Sequence, residues 1–315
     1  MNDPGGPVEV LTVGRVSVDL YPEQVGVPLA DVRTFRKLLG GSPTNVAVAA
    51  ARLGRRAAVV TKVGADPFGS YVRQALVGFG VDASRVGTHP TLRTPLAFCE
   101  LFPPDRFPLL FYREPKAPDL ELDLEADEAA RVPLLWTTGT GLSQEPSRTR
   151  TLDALERRAG RPHTVHDLDY RALFWASPEE AGHWNRKAIA LATVAVGNEE
   201  EVAVTLGEKL TPHEAAQALR NLGPEVVVVK LGPDGVLAMS ASGPTVVPPV
   251  PVEVLNGLGA GDAFGGALCH GLLAGWELGE TLRFANAAGA LVATRLGCAD
   301  DMPTAEEVEE LLCSV

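Results

Sequence analysis

Cysteine, aromatic residues and positive charge are all scarce in this chain. Its four cysteines (Cys99, Cys269, Cys298 and Cys313) are scattered over 315 residues and form no C-x-x-C. They are too few to staple a chain of this length, so reduced thiols are expected rather than a disulfide framework. Lys and Arg number 28 against 40 Asp and Glu, a formal net charge of −12, which argues against nucleic acid as a partner, because phosphate-backbone binding needs a cationic face. The longest uncharged apolar-leaning run, Ala263 to Trp276, has 14 residues, whereas a membrane-spanning helix needs about 20; no membrane span is expected. Met1 to Pro7 carries neither a cationic flank nor an apolar core of an export signal, so the expected location is the cytoplasm. Also absent are G-x-x-x-x-G-K-[ST], G-x-S-x-G and H-E-x-x-H, which leaves P-loop and hydrolase readings without a carrier.

What is present is ordinary globular usage, 45% hydrophobic and 22% charged, far from the signature of disorder. Val8 to Val13 reads as a buried first strand ending at Gly14. Pro43 to Leu53 repeats small apolar residues and stops at Gly54 as a helix does, and Ala57 to Val63 supplies a second strand. The alternation continues through a helix at Pro67 to Phe79, a strand at Val132 to Thr137, a helix at Thr149 to Arg158, and strands at Thr164 to Asp167, Ala192 to Val196 and Glu225 to Leu231. From Ala260 the chain turns helical, through Leu278 to Leu296 and Ala305 to Leu312. Such alternation predicts an α/β fold with a mostly parallel sheet covered on both faces. Residues 17–37 and 95–113 break it with β-like residues interrupted by prolines. They read as an antiparallel excursion, a small lid on a single domain spanning 1–315.

The most informative stretch is Pro251 to Gly266, PVEVLNGLGAGDAFGG. It reads as an alternating strand running into a glycine-rich turn and then a helix. Gly257, Gly259 and Gly261 let the backbone approach an anion, and the helix aims unpaired N–H groups and its positive dipole end at it. Asp262 follows at once, able to accept a proton from a hydroxyl attacking a bound phosphoryl group. The helix dipole is expected to keep that carboxylate ionised and a weak base, which suffices where positioning dominates. A plainer reading is an ordinary left-handed turn with a helix-capping Asp. A dinucleotide-binding turn fits poorly, because too little chain follows it.

Gly259-Ala260-Gly261-Asp262, with the early Gly40-Gly41 followed by Asn45, resembles the ribokinase-like (PfkB) carbohydrate kinases over about Val8 to Pro303. Further motifs follow in order: Asp19 after the first strand, N-x-x-E at Asn198 and Glu201, Lys230 with Gly232 and Gly235, and Asn286. Within the family the likeness is strongest to the branch acting on keto-deoxy sugar acids in inositol catabolism. It is carried by GRVSVDLYP, HDLDYRALFW, VAVGNEEEVAV, NGLGAGDAFGGAL and CADDMPT. The chain departs from the family at Asn256 and Gly257, which replace Asp and Thr, and at Asp169, which replaces Asn.

The resemblance implies a three-layer α/β/α ribokinase-like fold with a small β lid. It implies ATP-dependent transfer of a phosphoryl group to the terminal hydroxyl of a keto-deoxy sugar acid, with 5-dehydro-2-deoxygluconate the expected acid. Alternatives are 2-keto-3-deoxygluconate or fructose as acceptor, a sugar-sensing protein without turnover, or a dinucleotide-dependent oxidoreductase. Asp262 is then the base, and the N–H groups of Gly259, Ala260 and Gly261 stabilise the transferring phosphoryl group. Asp19, Gly41 and Asn45 hold sugar hydroxyls. Arg171 and Arg113 are the cations for the acidic end, by the bidentate geometry of guanidinium, although Arg113 also reads as a solvated surface charge. Asn198, Lys230, Gly232, Gly235 and Asn286 fall to the nucleotide, and Glu201 to Mg²⁺ through water. Glu199 to Glu201 otherwise read as a dipole-favourable first helical turn. The loss of an acidic ligand at 256 weakens the case for K⁺. His163, His166, Asp167 and Asp169 do not group as metal ligands, since alternate strand residues face opposite ways. The family's lid also implies a homodimer.

Overall fold

Short Val- and Ala-rich runs separated by amphipathic stretches build the expected alternation. The computed structural model of the chain describes residues 6–158 and 160–314; Met1 to Gly5, within the segment read above for an export signal, lie outside them. In chain order the strands are β1 (Val10–Val13), β2 (Ser17–Pro22), β3 (Phe35–Gly40), β4 (Ala57–Gly64), β5 (Val86–His89), β6 (Leu96–Cys99), β7 (Leu109–Tyr112), β8 (Leu134–Thr138), β9 (Thr164–Asp167), β10 (Val194–Asn198), β11 (Val226–Lys230), β12 (Val236–Ser240) and β13 (Gly243–Val247). The helices are α1 (Ser42–Arg52), α2 (Pro67–Gly78), α3 (Ala126–Arg131), α4 (Ser147–Arg158), α5 (Pro178–Ile189), α6 (Glu199–Leu206), α7 (Pro212–Arg220), α8 (Ala260–Ala274), α9 (Leu278–Ala293) and α10 (Ala305–Ser314).

Nine strands form one sheet in the order β13-β12-β11-β10-β9-β8-β1-β4-β5. Every pairing from β11 to β5 is parallel, and β12 and β13 close one edge as an antiparallel hairpin. Because side chains alternate across a strand, each central strand feeds two cores. Val10, Leu134, Trp136, Val194, Val196 and Val228 pack with α1, α2, α8, α9 and α10 on one face. Leu11, Val13 and Leu135 meet α3, α4 and α5 on the other, where Ala195, Val227 and Val229 meet α6 and α7. The result is three layers, α/β/α.

Strands β2, β3, β6 and β7 form a separate four-stranded sheet. The two interrupted segments do supply these strands, but the excursion is not wholly antiparallel: β2 pairs β6 in parallel, Val18 opposite Leu96, because the two strands come from distant hairpins. A second expectation also fails. Pro251 to Leu255 forms no strand; Pro248, Pro249 and Pro251 bring no N–H to a ladder, and the segment ends by donating the Leu255 and Asn256 amides to the Ala293 carbonyl. The sequence reading singles out neither β5, the β12–β13 hairpin, nor the helices α3, α5 and α7, and it reads α6 only as a first turn at Glu199 to Glu201. The cysteines are unpaired. Among the described residues no helix is long and apolar enough to cross a membrane.

Candidate active site

The chain leaves β1 toward β4 on one side, and β8 flanks β1 on the other. In open α/β sheets such a switch in strand order opens a crevice at the carboxyl ends of the strands. Arg15 to Asp19 follow β1, Thr140 follows β8, Asp167 to Arg171 end and follow β9, Asn198 and Glu201 follow β10, and Lys230 to Gly235 follow β11. The N-termini of α1 and α8 complete the rim.

These two helix ends meet because small residues let the helices close. A Cβ on Gly266 of α8 would lie 2.3 Å from the Cβ of Ala49 on α1, so only glycine permits this approach. The helices α2, α5, α6 and α7 are each capped by a side chain from Asp66, Ser177, Asn198 and Thr211. By contrast α1 and α8 begin at glycines, Gly41 (φ 104) and Gly259 (φ 84), with no side-chain cap. The first N–H groups of α8 therefore remain as donors for an anion, joined on α1 by that of Ser42, since Pro43 has none. Asp262, third residue of α8, does not cap its own helix. Its Oδ1 accepts from Ser42 Oγ at 2.7 Å and its Oδ2 from Asn45 Nδ2 at 2.8 Å, both on α1. The helix-capping reading of Asp262 is thereby excluded. The expectation of a dipole-weakened base is also corrected: burial raises the Asp262 pKa above the usual carboxylate value, and the bonds from Asn45 and Ser42 only partly oppose this.

Asp19, on β2, accepts from Ser17 Oγ at 2.6 Å, and burial pushes its pKa up to about 6. Lys230 ends β11 with Nζ 3.9 Å from Asp167 Oδ2 and 3.4 Å from where a Gly261 Cβ would sit, at the mouth of α8. Burial works to lower the lysine pKa, but Asp167, Glu201 and Asp262 together leave it raised, so it stays charged. Gly232 and Gly235 bracket the tight turn after it. Asn198 and Glu201 form a capping box, Glu201 N to Asn198 Oδ1 at 2.9 Å and Asn198 N to Glu201 Oε2 at 2.8 Å; the second carboxylate oxygen, Oε1, faces Arg171 Nη1 at 3.9 Å. Arg171 donates to the Tyr170 carbonyl at 2.8 Å and lies 3.5 Å from Asp169 Oδ1.

Arg113 is held differently. Its fork grips Asp119 at 2.5 and 3.2 Å, and the Asp119 side chain is 1% exposed and also accepts from Val16 N. Here Arg113 braces the small sheet against the crevice wall. Asn286, on α9, donates to the Pro248 carbonyl at 2.8 Å. Asn256 is fully buried; it donates to the Leu296 carbonyl at 2.7 Å and accepts from Leu258 N at 3.0 Å. That double use needs an amide, which explains why an aspartate is not found at this position.

Sequence reasoning missed four neighbours. Ser42 lay in plain view between Gly41 and Asn45. Thr140 donates to Asp169 Oδ2 at 2.6 Å, a contact that spans two strands and has no local signal. Asp167, raised in pKa by burial, was visible as part of HDLDYR but not as the partner of Lys230. Arg15 sat inside a quoted motif without a role. Among the described residues no three His, Cys, Asp or Glu side chains gather as a metal-holding group.

The family described as pfkB family carbohydrate kinase matches residues 8–305. The chain is 34% identical over 321 residues to a 5-dehydro-2-deoxygluconokinase of Clostridium beijerinckii, covering 98% of this chain and 94% of that one. Among solved structures it is similar to an uncharacterized sugar kinase from Pyrococcus horikoshii in complex with ATP, with a TM-score of 0.80 and 28% identity over 96% and 99% of the two chains. It is also similar to a fructokinase with bound ATP from Xylella fastidiosa, with a TM-score of 0.82 and 26% identity over 97% and 98%.

Proposed function

This chain belongs to the pfkB family of carbohydrate kinases and is an ATP-dependent sugar kinase of ribokinase-like fold, and on that premise we propose that its acceptor is a keto-deoxy sugar acid, 5-dehydro-2-deoxygluconate. The observation that carries the catalytic reading is the Asp262 carboxylate at the junction of two uncapped helix N-termini, with Lys230 beside Gly261. The name of the curated relative supports the choice of acid.

In this reading Asp262 takes the proton of the sugar's terminal primary hydroxyl as its oxygen attacks the γ-phosphorus, and the bond from that phosphorus to the β,γ-bridging oxygen breaks, releasing ADP. An elevated pKa makes Asp262 a better acceptor than an ordinary carboxylate, as general-base catalysis favours. The N–H groups of Gly259, Ala260 and Gly261 face the charge on the transferring phosphoryl group, where fixed donors act most strongly, and Lys230 adds a cation. Asp19, Gly41 and Asn45 hold sugar hydroxyls, and Arg171, beside Asp169 and Glu201, lends positive charge to the acidic end. Asn198, Gly232, Gly235 and Asn286 border the nucleotide.

Glu201 Oε1 is not used by the capping box, which engages Oε2, and with Asn198 beside it this carboxylate would hold hydrated Mg²⁺ through water, where the ion would neutralise phosphate charge. Asn256, with both amide atoms engaged, offers K⁺ little. The small sheet would cover the sugar and pair with a second copy, and the working location is the cytoplasm.

ADP release with Mg-ATP, measured across 5-dehydro-2-deoxygluconate, 2-keto-3-deoxygluconate, fructose and ribose, tests the substrate. The reading expects kcat/KM highest for 5-dehydro-2-deoxygluconate. A higher value for 2-keto-3-deoxygluconate, fructose or ribose would refute it.

A further inference from the structure

Among the described residues, one cation in the crevice has neither a hydrogen-bonded nor an ion-paired partner. Arg15 follows β1 and is 8% exposed, yet among the described residues its guanidinium donates no hydrogen bond and joins no ion pair, and its Nε is enclosed without an acceptor. Its backbone is fixed: Thr44 Oγ1 donates to the Arg15 carbonyl at 3.0 Å, and a Cβ on Gly41 would lie 2.4 Å from the same oxygen. Its head group rests against Phe111 and Phe174, 5.6 and 5.9 Å from the ring centroids, which meet each other edge to face at 5.1 Å.

Every carboxylate that it faces is engaged elsewhere. Asp169 accepts from Thr140 and lies beside Arg171, Asp19 accepts from Ser17, and Asp262 accepts from Ser42 and Asn45. A buried cation without a hydrogen-bonded partner is costly to a fold, and a planar five-donor fork is the side chain best matched to a carboxylate. The cost makes sense if a ligand supplies the missing acceptor.

We propose that Arg15 is the residue that selects an acidic substrate, its guanidinium taking the carboxylate of the sugar acid while the other end of the sugar presents its hydroxyl to Asp262. The inference rests on the sugar-acid reading above and sharpens it: Arg113 is spent on Asp119, Arg171 is shared with Asp169 and Glu201, and Arg15 alone is unpaired. The aromatic pair excludes water from one side of the fork, which strengthens the ion pair when it forms.

The test compares wild type, Arg15→Met and Arg15→Lys by calorimetric binding and by kcat/KM. The probes are 5-dehydro-2-deoxygluconate, 2-keto-3-deoxygluconate and gluconate as acids, with fructose and ribose as neutral sugars. Wild type is expected to prefer acids. In Arg15→Met that preference should fall about 100-fold, mostly through Kd and KM rather than kcat, with partial recovery in Arg15→Lys. The thermal midpoint of Arg15→Met should hold or rise, which a purely structural arginine would not allow. An acid preference undiminished in both variants would overturn the role of Arg15 while leaving the sugar-acid reading intact. Absence of acid preference in wild type would overturn both.

Discussion

At the scale of single residues, the site is a set of carboxylates given different proton affinities by their surroundings. Asp262 and Asp19 are raised by burial, whereas Asp169 is lowered, because Arg171, Arg15 and Thr140 together outweigh its burial. Asp169 also holds the only positive φ among the described non-glycine residues, 21°, a region that Asp and Asn tolerate better than most. Asp19 yields a pH prediction. Its folded value of about 6 stands above the ordinary 3.8, so the native state holds this proton more tightly than the unfolded chain. The contribution of Asp19 to stability therefore falls as pH rises from about 4 to about 6. Asp19→Asn is expected to raise the thermal midpoint at pH 7.5 and leave it unchanged at pH 3.8, while raising KM for the sugar at least about tenfold at pH 7.5, as loss of a charged hydrogen-bond acceptor does. Thermal scans at the two pH values and sugar titrations check it; an equal stability change at both would contradict the assignment.

Among elements, the proposed function rests on the α1–α8 pair, whose logic was partly legible. The glycine run before Asp262 announced one helix end open to an anion, while Gly40-Gly41 entered only through the family resemblance, as part of the sugar site. What could not be read was the convergence of α1 and α8, which depends on Gly266 lying against Ala49, residues more than 200 positions apart. The strand expected at Pro251 to Leu255 failed for a local reason, since an alternating apolar pattern outvoted three nearby prolines. The turn itself is locked by contact. Gly259 has φ 84, and a Cβ there would lie 2.6 Å from Cys298 Sγ. Cys298 is held in turn by the Tyr21 hydroxyl at 2.8 Å and its thiol is pushed up by burial, so it packs rather than reacts. Gly259→Ala should cost about 2 kcal/mol through backbone strain and overpacking and tilt the first turn of α8. Urea unfolding and kcat report the two effects, and a variant of wild-type stability would show that the turn tolerates a side chain.

For the whole molecule, the mostly parallel sheet with helices on both faces was foreseeable from strand–helix alternation, while the strand order and the small sheet's topology were not, because the small sheet's β2 and β6 pair across 78 residues of sequence. Its outer face leaves Leu110 and Tyr112 at 44% and 58% exposed, alternating with the inward Leu109 and Phe111. Apolar residues presented this way suit a second copy of the same surface. Light scattering should find a dimer for wild type and a monomer for the Leu110→Glu, Tyr112→Glu double variant; a dimer that survives these charges would move the interface elsewhere. The account as a whole turns on Asp262. The most direct measurement is steady-state ADP release by Asp262→Asn with saturating Mg-ATP and sugar acid, alongside its affinity for ATP. The variant keeps the size of the side chain and its place between Ser42 and Asn45, so kcat should fall about 1000-fold, within the range for loss of a general base, with ATP affinity changed less than about threefold. A kcat within tenfold of wild type would contradict the account.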